Sequence, residues 1–220
     1  KDLLPGNLKK WLEYFIVSKR KLKVEGKSGS PFVPMPGEWV AYAVSVALLA
    51  VSFAYVKAGS LSELASLLPV YFATSIVVGL VKRYFTIAFL RSRGVWSEHK
   101  VWIFGLALFA FTTLVFRVPF STPTRNVSHS ANYTGYIKAR VAISWITIGL
   151  AFTGLFALLM PLGFVQVGSA GLAMCILGAL FDALPIPPLV GKDLFDENKR
   201  LWAIFFAATL AIYVAWLLLM

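Results

Sequence analysis

Asp182-Ala-Leu-Pro-Ile-Pro-Pro-Leu-Val-Gly191 closes one long apolar segment and comes just before another. Its prolines, Pro185, Pro187 and Pro188, end any helix that reaches them, because each lacks an N–H and clashes with the preceding turn. An apolar helix therefore stops here, at or near a membrane surface. Helix-breaking backbone at membrane depth persists only where protein or a water-filled cavity covers it. The stretch opens with a carboxylate, Asp182, and ends on Gly191. A broken helix carrying one acid marks a site, or the remains of one.

The segments on either side set the class. Phe164–Leu184 is long, apolar and rich in small residues (Gly168, Ala170, Gly171, Ala173, Gly178, Ala179), which let helices approach closely in a membrane. Beyond the charged connector Lys192–Arg200 lies a further span, Leu201–Met220. The 220 residues are 59% hydrophobic and only 14% charged, with a mean hydropathy of +0.76, whereas soluble domains sit near a quarter charged. The expected fold is an all-α, polytopic membrane bundle. The net charge of +11 would suggest nucleic acid in a soluble protein. Here the basic residues flank apolar spans, so lipid headgroups and topology account for them, and no nucleic-acid partner is expected. The lone Cys175 excludes an internal disulfide and a cysteine-rich metal site, and no cleavable signal peptide is visible in the first forty residues.

Upstream, residues 1–38 read as a basic arm and linker, and 39–220 as the transmembrane domain. Leu8, Trp11, Leu12, Phe15 and Ile16 recur at helical spacing beside Lys9, Lys10 and Lys19, either as a helix lying among lipid headgroups or as a solvated arm. Further spans are expected at Trp39–Val56, Leu68–Leu90 and Val141–Met160, with a short polar turn over Ala58–Leu67 and polar connectors over 91–100 and 117–140. The second span breaks the rules, because Lys82 and Arg83 sit inside its apolar run. A charge there costs about 3 kcal/mol on insertion scales. Either both snorkel to the nearby interface or they belong to a site.

Charge decides what Val101–Val118 does. If it crosses, eleven Lys and Arg lie on the N-terminal side and eight on the other. If it enters and returns, eighteen face Lys57 alone. The positive-inside rule prefers the second arrangement: five full spans, one re-entrant segment, a cytoplasmic N-terminus and an extracytoplasmic C-terminus. The sequons at Asn126 and Asn132 then face the cytoplasm as chance matches; with six spans they could be glycosylated.

The proline stretch resembles the Asn-x-Leu-Pro-x-x-Pro-Leu-Asp-Gly motif of the site-2 proteases, intramembrane zinc metalloproteases, and their compact archaeal members most of all. Gly94-Val-Trp-Ser-Glu98 is similar to a connector of that family. The family's spacing then sets its His-Glu-x-x-His motif on Lys82-Arg83-Tyr84-Phe85-Thr86, and its re-entrant segment agrees with the charge count. The resemblance implies a zinc ion held by two imidazoles one turn apart and a carboxylate, with a glutamate as general base. The corresponding positions here are Lys82 and Thr86 for the imidazoles, Val190 for the carboxylate and Arg83 for the base, and the motif's asparagine is Asp182. A later motif falls near Ser144 without its amide. His99 and His129 lie in connectors without metal spacing.

The sequence reading is thus a site-2 protease-like protein without catalytic residues, metal or cofactor. Its degenerate site comprises Lys82, Arg83, Thr86, Asp182 and Val190, with Asp182 expected to pair with Lys82 or Arg83. Otherwise Asp182 faces lumenal water or caps the helix end. The leading function is a binding or scaffold subunit for other integral membrane proteins. The alternatives are a degenerate metalloprotease and a small channel or transporter component. Trp96, Trp102, Trp145, Trp202 and Trp216 read as interfacial anchors or lipid-facing packing.

Overall fold

The computed structural model describes residues 36–119, 124–128, 133–187 and 189–219. The expected interfacial arm, Asn132, His129 and Pro188 lie outside these residues. Seven helices and one small sheet follow in order: α1 (Pro36–Lys57), α2 (Leu61–Ser92), β1 (Ser97–Val101), α3 (Ile103–Phe116), β2 (Thr124–Ser128), α4 (Gly135–Leu159), α5 (Val165–Ala183), α6 (Val190–Glu197) and α7 (Lys199–Leu219). Five of them, α1, α2, α4, α5 and α7, are long and apolar enough to cross a membrane. The chain is an all-α multi-pass membrane protein with five such helices.

Each polar connector of the sequence reading holds more structure than expected. The second span begins at Leu61, not Leu68, so most of the expected turn over Ala58–Leu67 is helix. Ser60 is the N-cap, accepting from the Glu63 amide at 3.2 Å, and the Glu63 carboxylate accepts from the Gly59 amide at 2.8 Å. The Ser60 cap is worth about 1 kcal/mol; the Glu63 carboxylate reaches back one residue beyond the amide used in a capping box, and together they start a helix in polar sequence. At 32 residues, α2 is roughly 48 Å long, longer than the ~30 Å hydrocarbon layer.

The connectors 91–100 and 117–140 contribute the two strands. They pair antiparallel, Ser97 opposite Ser128, His99 opposite Asn126 and Val101 opposite Thr124. Because Val101 faces Thr124, everything between them leaves and returns at one place. The 14-residue α3 rises about 21 Å, too short to cross. Its chain turns at Arg117, whose φ of 53° is left-handed. Half of α3 is exposed, including Phe104, Phe111, Leu114 and Phe116.

Helices α4 and α5 form a close antiparallel pair joined through Pro161-Leu162-Gly163, where Gly163 takes φ +93°. A side chain at Gly171 would lie 2.3 Å from the Phe156 ring, so the small-residue face of α5 receives a large side chain of α4. The connector after the prolines is a helix, α6, and Gly191 is its second residue rather than part of the loop. A Cβ there would lie 2.5 Å from the Ala183 carbonyl carbon, so glycine lets α6 fold back onto the broken end of α5. Leu194 of α6 fills a core with Ala139, Ala142, Ile146 and Ala183. The indole of Trp202 on α7 donates to the Ala183 carbonyl at 2.9 Å, satisfying a group that the helix end leaves open. The rest of α7 is largely exposed, as suits a helix facing lipid.

One buried ion pair joins the hairpin to the bundle. Arg91 Nη2, near the end of α2, donates to both carboxylate oxygens of Glu38 at 2.8 Å and to the Ser97 carbonyl at 3.1 Å. Glu38 also accepts from the His99 amide at 3.0 Å, and Arg91 covers the Trp96 ring. Both side chains of the pair are 2% exposed. The His99 ring stacks on Tyr42 at 5.0 Å, and its Nδ1 lies 2.8 Å from Asn126 Oδ1. Asn126, read as a chance sequon, thus orients a buried histidine.

Two predictions follow from this corner. Removing one partner of a buried pair typically costs about 3–5 kcal/mol, so Glu38→Gln should lower stability by that order, and limited proteolysis should then cut the hairpin region first. Burial, helped by the Arg83 charge and opposed by the Asn126 hydrogen bond, holds the His99 pKa down to about 3, against about 6.5 in an unfolded chain. Between those values the unfolded chain binds a proton that the folded protein does not. His99 therefore makes stability fall as pH drops from 6.5 toward 3. His99→Phe, which keeps a ring on Tyr42, should flatten the melting midpoint between pH 6.5 and 4.5. An unchanged slope would mean that other groups cause it.

Candidate functional site

The middle of the bundle is organised by three ionisable groups. Lys82 and Arg83 sit on consecutive positions of α2, and Asp182 occupies the last turn of α5 before the prolines. All three are buried, at 8%, 5% and 5% exposure, so neither cation snorkels. They line one cavity of about 90 Å³ with Ser75 and Gly79 of α2, Gly149 of α4, and Cys175 of α5.

Lys82 Nζ donates to the Asp182 carboxylate, forming a buried ion pair between α2 and α5. The ammonium also lies 5.0 Å from the centre of the Trp145 ring, a cation–π contact that gains strength where water is excluded. Gly149 lets α4 come close to α5 beside the pair, since a Cβ there would stand 3.2 Å from the Ala179 Cβ, with Lys82 Nζ at an ordinary contact distance of 3.5 Å. Thr86, one turn along α2, donates to the Lys82 carbonyl at 2.8 Å and accepts from the Trp145 indole. The lysine is thus held by a carboxylate, an aromatic face and a hydrogen-bonded neighbour.

Asp182 neither caps the end of α5 nor lies open to water. Arg83 lies beside the pair without joining it by a hydrogen bond or ion pair among the described residues, and its Nη1 is sealed from solvent without an acceptor there. Val190 is apart from the cavity; it packs in the cores around Ile146 and Trp145. Pro185 is half-buried and Pro187 exposed, both beyond the cavity lining. The matched positions therefore gather Lys82, Arg83, Thr86 and Asp182 but not Val190 or the prolines.

Trp145 corrects the sequence reading. It is buried at 7% exposure and serves the Lys82 corner instead of an interface or lipid. A run of apolar helix does little to distinguish such a tryptophan from an anchor. Gly149, one turn on, is the only local hint. Glu38 and Arg91 were missed for a similar reason, because charges at the ends of spans are ordinary.

Over 119 residues, 52% of its length, the chain is 29% identical to a protein of Methanocaldococcus jannaschii provisionally named a zinc metalloprotease. The matched part spans 62% of that relative, less than two thirds of its length. This partial likeness supports the resemblance to the site-2 proteases. No family model matches the chain, and no solved structure matches it significantly.

The donor set at the cavity does not fit a zinc ion. It offers the Cys175 thiol and one carboxylate, the latter already bonded to an ammonium, with a second cation beside them, and like charge repels a divalent ion. Among the described residues no three His, Cys, Asp or Glu side chains converge.

The pair yields an asymmetric prediction. Asp182→Asn leaves two buried cations uncompensated and should cost about 3–5 kcal/mol. Lys82→Met should cost less, because Arg83 lines the same cavity and is expected to take the lysine's place. Equal losses in thermal or denaturant unfolding would show that Arg83 cannot reach the carboxylate.

Proposed function

We propose that this protein is a non-catalytic, site-2 protease-like membrane protein that binds transmembrane helices of partner proteins as a subunit of a membrane complex. The observation that carries this reading is the Lys82–Asp182 pair. Of the positions matched to the protease's zinc ligands, Lys82 is bound to a carboxylate, Thr86 to Lys82 and Trp145, and Val190 is packed apart. At the position matched to the general base stands Arg83, a permanent cation. What the scaffold retains is its shape: helices able to pack against other helices. Along α2, Phe72, Ile76, Val77, Val81, Tyr84 and Phe85 remain exposed, an apolar face suited to lipid or to another helix. The step from fold to helix binding is an analogy between scaffolds.

The charge distribution supports a cytoplasmic N-terminus and an extracytoplasmic C-terminus, with the hairpin end inside. The hairpin brings Arg91, Arg93, Lys100, Arg117 and Arg125 to the end of the bundle where α1 begins. Anionic headgroups are the natural partners of that end.

The metalloprotease reading is favoured by the name of the archaeal relative. Extraction in a mild detergent from native membranes, followed by mass spectrometry, separates the two. A membrane protein recovered in fixed stoichiometry supports the scaffold reading. Stoichiometric zinc with chelator-sensitive cleavage of a membrane substrate would overturn it.

A further inference from the structure

The charge arrangement leaves one group unfinished. Lys82 is paired with Asp182 and Arg91 with Glu38, but the buried Arg83 has no hydrogen-bond or ion-pair partner among the described residues, and its Nη1 is out of reach of solvent. Across the contact with α1, Tyr42 Oη and Ser45 Oγ are buried without partners as well, and Tyr42 lies within electrostatic reach of Arg83. The two are three residues apart, on one face of α1. A desolvated guanidinium with an unfilled donor is strongly disfavoured, and buried polar groups in native proteins find a partner, be it protein, water or ion.

We propose that the cavity at Arg83 is a binding site for a monovalent carboxylate. The guanidinium is a planar fork of donors that matches a carboxylate's two oxygens. The cavity lining carries two cations and one anion, so a single negative charge neutralises it, whereas a dianion leaves the opposite charge buried. About 90 Å³ is roughly three times a water's share of liquid volume, enough for a carboxylate on a short carbon tail. Leu49, Phe53 and Met174 supply apolar wall for that tail. The carboxylate is either a free short-chain acid or the side chain of an Asp or Glu on a partner's transmembrane helix. The site itself does not depend on the helix-binding reading.

The test is a sodium acetate titration of the purified full chain at pH 7.5 and fixed ionic strength, read as the melting midpoint. The expected result is a saturable rise of about 2–4 °C, smaller with chloride and absent with sulfate. Arg83→Gln should remove the response, and Arg83→Lys should retain a weaker one. Should Arg83→Gln fail to fold, carbon-13 acetate NMR on the wild type, with formate as competitor, reads the same site. A wild type indifferent to acetate, a response as large in Arg83→Gln, or chloride as effective as acetate would each overturn the proposal. Repeating the titration on a complex with a co-purified partner distinguishes the sources. A response lost in the complex assigns the carboxylate to the partner's helix, and a retained one assigns it to a free acid; both support the site.

Discussion

Positive charge on a helix that crosses a bilayer has to be compensated inside the protein or carried to the surface, and α2 bears three buried cations, Lys82, Arg83 and Arg91. Much of the fold can be read as the answer to that constraint. Arg91 is answered by Glu38 at the start of α1, and the same carboxylate takes the His99 amide, so the compensation also fixes the hairpin. Lys82 is answered by Asp182, the last polar group of α5 before the chain breaks. The two pairs hold α2 at both levels, one to α1 and the hairpin and one to α5. Apolar packing alone would leave the rotation of so uniformly hydrophobic a helix poorly defined; an ion pair of this kind is directional and fixes it.

Features with a physical signature in sequence were legible. Length and hydropathy gave the five long helices, and the balance of Lys and Arg gave a re-entrant segment; α3 indeed leaves and returns at a single hairpin. The prolines gave the end of α5. Three things were not legible. The strands over 97–101 and 124–128 are five residues each and polar on average, and Glu38, Arg91 and Tyr42 contact the first of them; no local pattern announces a strand that leans on tertiary partners. The start of α2 carried a readable signal, Ser60-Leu-Ser-Glu63, that hydropathy overrode. Gly191 looked like loop because it follows prolines, yet it is needed inside α6 for the close contact with Ala183.

At the site, the pairing of Asp182 was inferable because a lone buried acid and two lone buried basic residues can hardly coexist apart. Which cation wins is set by geometry that sequence does not hold. Lys82 has Trp145 over its ammonium, and its slender, flexible side chain reaches the carboxylate. Arg83, one residue on, projects about 100° around the helix axis and its wider head meets a different part of the cavity.

That difference bears on what the cavity is for. A contact that had only to join α2 to α5 would be complete with one cation and one anion, and an apolar residue at position 83 would spare the burial of a second charge. The structure instead keeps Arg83 on the wall of the same space, with its buried Nη1 left without an acceptor. Buried charge without a partner adds nothing to stability, so stability alone gives no reason for Arg83. A reason appears once the cavity is taken with its contents, because a bound anion turns the most costly group in the bundle into half of an ion pair. On this view the Lys82–Asp182 contact and Arg83 have different tasks. The first fixes helices α2 and α5 and gives the cavity its walls; the second decides the sign of what can enter.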